Sequence, residues 1–249
     1  TNVRADPLFS FGSTIHEAGH TLYELNIPEE YEYNIIGDAP SYGLHESQSR
    51  FWENMIGLSK PFWKHYFPKF KEKFNIKDSL DKWYQEVNYI TPSLIRIEAD
   101  EIHYCLHIIL RFELELGLIS GEIKAKDIPE LWNKRFKEMF GISPKNDAEG
   151  CLQDVHWSEG LLGYFPSYAI GTIYASQLYF SLKKDFPDIE KDIEKGEYNK
   201  VKGWLKEKIH IHGAKYFAED IIKRVTGEGL NPGIYLDYLE KKYSEIYNL

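Results

Sequence analysis

Apolar residues recur along this chain at the three- and four-residue spacing of helices, and no stretch sustains the alternation of a half-buried strand. The pattern predicts an all-α protein. A first helix is expected from about residue 10 or 13 to residue 26, with Ile15, Ala18, Leu22 and Leu25 on one side and Pro28 as its stop. A second covers about 43–58, ending before Pro61, and a third 62–75; a short one starts at Asp78 or Ser79. Thr91 and Pro92 offer a cap and a first-turn proline for a helix running through Ile97, Ile102, Leu106, Ile109 and Leu114 to Gly117. Asp127 with Pro129 opens another to about Phe140, and the Gly-, Pro-, Asn- and Asp-rich stretch 141–150 is a loop. Further helices fit 165–185, 198–211, 214–225 and 232–247. Gly and Pro punctuate them closely enough for one packed helical region over 1–249.

One of these helices carries chemistry. His16-Glu17-Ala18-Gly19-His20 is H-E-x-x-H, and a turn of 3.6 residues places i and i+4 on one face, so both imidazoles reach one metal while Glu17 lies beside a bound water. Zinc makes such a water acidic near neutral pH, and Glu17 is expected to take its proton and later pass it to the leaving amine, which is amide hydrolysis. A core helix with two satisfied histidines is the plain alternative. A catalytic zinc needs a third protein ligand and an open position. Glu46 opens the next helix after a connection rich in turn residues, which lets the two helices pack antiparallel. An i+4 ion pair between Glu46 and Arg50 is equally open on the residues alone.

The remaining histidines add less. His103 and His107 share the i,i+4 spacing but lack an intervening Glu and sit in an apolar helix, which favours core or supporting roles. His210 and His212 are two apart and read as structural; His65, between Pro61 and Pro68, reads as a surface residue. There is no G-x-S-x-G elbow, phosphate-cradling glycine loop or dinucleotide fingerprint.

Composition narrows the setting. The 249 residues can bury a core, and a net charge of −9 argues against general affinity for nucleic acid or anionic membranes. Cys105 and Cys151 form no C-x-x-C pair and read as reduced thiols, which implies a cytoplasmic location. The longest apolar run, 106–110, is soon interrupted by Arg111 and Glu113, so no membrane span is expected. No stretch reads as a signal peptide and none is expected, although the chain begins at Thr1 without a methionine and an upstream segment is compatible with it.

Four linked motifs resemble one family. Beyond His16-Glu17-Ala18-Gly19-His20, the chain carries His45-Glu46-Ser47-Gln48, Ile95-Arg96-Ile97-Glu98-Ala99-Asp100 and Gly150-Cys151-Leu152-Gln153-Asp154-Val155-His156-Trp157. These are similar, in order, to the HExxH, HES/GQ, IRxxAD and GxxQDxHW motifs of the M32 (carboxypeptidase Taq) metallocarboxypeptidases. The resemblance implies an all-helical, zincin-like body with a substrate groove, and one divalent metal, usually zinc or cobalt. It further implies removal of single residues from peptides with a free C-terminus, and a homodimer. By matching position it makes Glu46 the third metal ligand. It places His45 and His156 along the site near the scissile bond, and Arg96 with Tyr168 as the pair that holds the substrate's terminal carboxylate, for which a planar guanidinium is suited. An Arg96–Asp100 ion pair at i+4 is what the residues alone would suggest. Asp154 is expected to orient a histidine through its second nitrogen, and Asp100 to support the site from behind.

Two departures stand out. Family members are considerably longer at the N-terminus, so the chain resembles the C-terminal, metal-binding portion of a longer enzyme. The family's DxRxT motif is shortened to Asn2-Val3-Arg4-Ala5-Asp6, and Arg4 is assigned no role. A metallocarboxypeptidase is the leading expectation; a metal-binding helical module without turnover, or an aminopeptidase or endopeptidase with the same centre, are the alternatives.

Overall fold

Packing in the computed structural model, which describes residues 7–249 and so leaves Arg4 outside, divides the chain into two units. The first comprises the chain up to Val87 together with Ile170–Leu249, and the second is Asn88–Ala169. Among the described residues there is no strand.

The first unit begins with α1 (Pro7–Glu24) and α2 (Tyr42–Arg50). Ser41 caps α2, its hydroxyl accepting from the Leu44 N–H at 3.0 Å, and this sets Glu46 in the second turn. The helix expected to run on to residue 58 does so with a changed register, because Phe51–Gly57 is π-helical. α3 (Lys60–Lys73) and α4 (Leu80–Val87) follow, joined through aromatic contacts of Trp63 and Phe67 with Trp83. The unit resumes within α7 (Pro166–Asp185) and closes with α8 (Ile189–Glu194), α9 (Asn199–Lys208), α10 (Ala218–Thr226) and α11 (Pro232–Tyr247).

The buried side of α1 differs from the apolar stripe read in the sequence. Gly19 and Tyr23 are buried, whereas Ala18 is exposed and Leu25 is 76% exposed. The reason is steric: a β carbon on Gly19 would lie 2.6 Å from both the Gln48 carbonyl oxygen and the Ser49 Cα, so α1 meets α2 backbone to backbone along this side.

The second unit holds α5 (His103–Ser120) and α6 (Ile128–Phe140), with Leu110, Leu114, Ile128, Trp132, Phe136, Phe140 and Cys151 as its core. The helix expected from Thr91 to Gly117 is corrected at both ends. Residues 91–101 contain only a 3₁₀ turn, Arg96–Glu98, and α5 starts at His103. Asp100 decides the start: its Oδ1 accepts from the Ile102 and His103 N–H groups at 3.0 and 2.9 Å, and its Oδ2 accepts from the Thr91 N–H at 2.9 Å. A carboxylate bonded three times to backbone outcompetes the Thr-Pro cap. At the other end Gly117 lies inside the helix, with Ile123 packed where its β carbon would be, and Gly121, at φ +79°, closes the helix in the left-handed conformation.

Replacing Asp100 by Ala removes all of these bonds together. Urea unfolding of the Asp100→Ala chain is expected to show a loss of about 2 kcal/mol, the upper end for a helix cap; a loss below about 0.5 kcal/mol would place the start of α5 under other control.

Candidate metal centre

Seating α1 against α2 at Gly19 brings three side chains of the first unit to one point. One nitrogen each from His16 and His20 and one oxygen from Glu46 all lie within 4.8 Å of one another. The Nε2 atoms of His16 and His20 are 3.6 and 3.4 Å from Glu46 Oε2, and the two rings stand edge to face. Glu46 is buried, and a β carbon on Gly171 of α7 would lie 2.7 Å from its Cβ and Cγ, so the carboxylate is held from behind by backbone.

Both readings of Glu46 coexist, on different oxygens. Arg50 Nε donates to Oε1 at 3.0 Å, while Oε2 accepts from the Ser49 hydroxyl at 3.1 Å and faces the histidines. Burial alone would push this carboxyl up, but the His20 contact, the Arg50 guanidinium and His16 outweigh it and bring it down to about 2. A carboxylate so anchored stays ionised and aimed.

His16 has a second acidic neighbour that the sequence reading did not single out. Its Nδ1 is 2.8 Å from Glu53 Oε2, which also accepts from Arg50 Nη1 at 3.2 Å. Burial disfavours a charged His16, yet Glu53 and then Glu46 raise its pKa above the ordinary value. The available signal was periodicity: Glu53 lies two turns beyond Glu46 on the same helical side. The donor set itself, two imidazole nitrogens and a carboxylate oxygen, suits a divalent first-row metal.

Glu17 is exposed on α1, next to His16 in sequence, and its carbonyl accepts from the Thr21 hydroxyl at 2.9 Å. His45 stacks on His20 with centroids 4.4 Å apart and planes 12° apart, and its Nε2 is 2.8 Å from Glu24 Oε1.

The other expected site residues lie in the second unit. Arg96 is buried there: Nε and Nη2 donate to Asp154 Oδ1 at 3.1 and 2.8 Å, and Nη1 donates to the Tyr104 hydroxyl at 3.0 Å. The i+4 pair with Asp100 does not form, since that stretch is not α-helical and Asp100 Oδ2 instead meets His103 Nδ1 at 2.7 Å. Asp154 receives guanidinium groups in place of the expected histidine. Its Oδ2 accepts from Nε of the fully buried Arg111 at 2.8 Å, while Arg111 Nη1 donates to the His107 carbonyl at 2.7 Å. Burial would raise the Asp154 carboxyl, but Arg111 and Arg96 hold it below the usual range. Burial draws Arg111 down to about 10 against the opposing pull of Asp154. His156 Nε2 is 2.9 Å from the Tyr168 hydroxyl, and burial followed by Arg96 lowers its pKa, which keeps the ring neutral.

Arg111 went unnoticed in the sequence because a basic residue ending an apolar run reads as an interruption, not as a buried ion. His107 packs on Phe136 and Phe140, with burial and Arg111 pushing it down to about 3. Neither it nor His103 joins a metal-ligating group among the described residues. His65 is half-buried, its Nδ1 3.3 Å from the Glu194 carbonyl oxygen and its ring against Gly196, which corrects the surface reading.

Comparison with known proteins gives a consistent answer. The family model for the carboxypeptidase Taq (M32) metallopeptidases matches residues 2–243. The chain is 48% identical over 239 residues to carboxypeptidase 1 of Bacillus subtilis, covering 95% of this chain and 48% of that protein. It is 44% identical over 233 residues to thermostable carboxypeptidase 1 of Pyrococcus furiosus, covering 93% and 47% respectively. The crystal structure of an M32 carboxypeptidase from Deinococcus radiodurans superposes with a TM-score of 0.96 at 37% identity, covering all of this chain and 51% of that one. The chain thus spans about half the length of the relatives it matches.

The buried Arg96–Asp154–Arg111 group yields a pH-dependent expectation. A carboxyl whose folded pKa is depressed stabilises the fold fully above its unfolded value and loses that contribution as pH falls through the folded value. The Asp154→Asn chain is expected to be about 3–5 kcal/mol less stable at neutral pH in urea unfolding, as when one partner of a buried ion pair is removed. The gap should close on acidification below the carboxylate range; a gap independent of pH would contradict this account of Asp154.

Proposed function

The chain belongs to the carboxypeptidase Taq (M32) metallopeptidase family, and we propose that it is the metal-holding part of a carboxypeptidase that hydrolyses the last bond of peptides with a free C-terminus. The observation that carries the reading is the convergence of His16, His20 and Glu46. Their chemistry fits zinc, with cobalt as a substitute, and they would hold it through two neutral nitrogens and one oxygen. When bound, the metal supplies Lewis acidity, polarising the scissile carbonyl and rendering a water acidic.

The chain's own residues do the rest. Glu17, beside His16 on α1, takes a proton from the attacking water onto its carboxylate and delivers it to the leaving nitrogen. Glu53 keeps His16 turned with Nε2 toward Glu46, where the two would hold the metal, and Arg50 with Ser49 keeps Glu46 ionised and fixed. Arg96 carries more N–H donors than its three side-chain bonds use. Two guanidiniums against the single Asp154 carboxylate leave an excess positive charge that suits a substrate carboxylate, with Tyr168 and the neutral His156 as further hydrogen-bonding groups. His45 would line the metal centre beside His20, and Asp100 would support the carboxylate-binding group of the second unit by fixing the segment that carries Arg96. Residues 1–249 act as one catalytic region in this reading, in a cytoplasmic homodimer.

A second reading has an observation in its favour. Because the chain covers about half of each relative's length, it is also compatible with a metal-binding module that needs further chain for turnover.

The test uses one peptide in two forms, with a free and with an amidated C-terminus. Zinc-loaded protein is expected to release the terminal residue from the free form alone, chelation should abolish release, and Glu17→Gln should slow it about 10²–10⁴-fold. Cleavage of the amidated peptide would assign an aminopeptidase or endopeptidase, and bound zinc without any cleavage would assign the module.

A further inference from the structure

The two histidines of the metal centre are held in different ways. His16 has a hydrogen bond at its outer nitrogen, from Nδ1 to Glu53 at 2.8 Å. His20 has none: its Nδ1 is buried with no hydrogen-bond partner, so no polar contact at that nitrogen sets the angle of its ring. Metal-ligating histidines ordinarily owe their orientation to such a contact. Something else must hold His20.

What surrounds it is a succession of ring contacts. His20 stacks on His45 at 4.4 Å and 12°, His45 on Tyr23 at 5.5 Å and 25°, and Tyr23 on His210 at 4.9 Å and 29°. The far end is pinned. His210 is 1% exposed, its Nε2 is 2.9 Å from Gln48 Oε1 and its Nδ1 is 3.3 Å from Asn26 Nδ2. One neutral tautomer satisfies both amides: Nε2–H donates to Gln48, and Nδ1 accepts from Asn26. Burial, which drives this imidazole down to about 3, agrees with the neutral ring.

The amides that hold His210 belong to the helices of the metal site. Asn26 follows the end of α1 and also donates to the Leu22 carbonyl at 2.7 Å; Gln48 lies on α2, two residues after Glu46, with its Nε2 donating to the Ser47 hydroxyl at 2.9 Å. Tyr23 is fully buried, yet its hydroxyl has no partner. A tyrosine that spends no hydrogen bond in a closed interior is kept for its ring.

We propose that Tyr23 and His210 are positioning residues of the metal centre: the run His210, Tyr23, His45, His20 fixes the His20 imidazole by stacking, the task that Glu53 performs for His16 by hydrogen bonding. The inference rests on the reading of His16, His20 and Glu46 as metal ligands. It gives His210 a role at the site although it lies more than 160 residues from Glu46 in sequence, on the short 3₁₀ turn His210–His212.

The test compares the unmodified chain with Tyr23→Phe, Tyr23→Leu and His210→Gln, measuring zinc affinity by calorimetry and the visible spectrum of the cobalt-loaded protein. Tyr23→Phe keeps the ring and is expected to bind within about twofold of the unmodified chain with the same cobalt bands, whereas Tyr23→Leu should lose about tenfold or more in affinity and shift the bands. Should Tyr23→Leu fail to fold by circular dichroism, His210→Gln, which retains an amide for Gln48, decides by the same criterion. Unchanged affinity and bands in the folded variants that lack a ring would overturn the inference and leave the metal site standing. So would a Tyr23→Phe loss as large as that of Tyr23→Leu. An unmodified chain that binds neither metal would overturn the metal-site reading and this inference with it.

Discussion

The close approach of α1 to α2 at Gly19 is the constraint from which the site follows. No β carbon fits there, since it would meet the backbone of Gln48 and Ser49 at 2.6 Å. With the helices this close, two histidines one turn apart on α1 face a glutamate in the second turn of α2, and the three donors fall within one metal's reach. A second glycine contact, Gly171 against Glu46, closes the same carboxylate from another helix. Small residues placed between functional ones thus let side chains of ordinary length converge. Polar support then fixes what backbone geometry has gathered: Arg50 and Ser49 on Glu46, and Glu53 on His16.

The second unit is organised around charge. Asp154 draws Arg96 and Arg111 into the interior and is bonded on both oxygens. Burying three ions together is tolerated because each guanidinium also donates elsewhere, to the Tyr104 hydroxyl and to the His107 carbonyl. The segment carrying Arg96 is fixed further by the Gln153 side chain, whose oxygen accepts from the Arg96 N–H at 2.8 Å. Two motifs far apart in the chain therefore form one network.

Local patterns made most of this legible. The all-helical architecture, the zinc-type spacing on α1 and the helix bearing Glu46 follow from periodicity; α6 lies where its cap and proline put it, and α7 and α11 lie close to the expected 165–185 and 232–247. What escaped depends on partners that local pattern does not reveal. Thr91-Pro92 is a sound helix opening, but Asp100 supplies three backbone hydrogen bonds farther along and wins. The stripe of Ile15, Ala18, Leu22 and Leu25 suggested a core face, yet α1 buries its glycine side because backbone contact with α2 excludes larger groups. α8, with six residues, offers too few positions for a period to show. Glu53, Arg111 and His210 take their meaning from residues brought close by folding.

The most direct measurement is X-ray absorption at the zinc edge of the metal-loaded protein. Convergence of His16, His20 and Glu46 predicts a nitrogen and oxygen shell at about 2.0–2.2 Å with the multiple scattering of two imidazoles. A single imidazole, a sulfur ligand or a shell of water alone would contradict the assignment of this site.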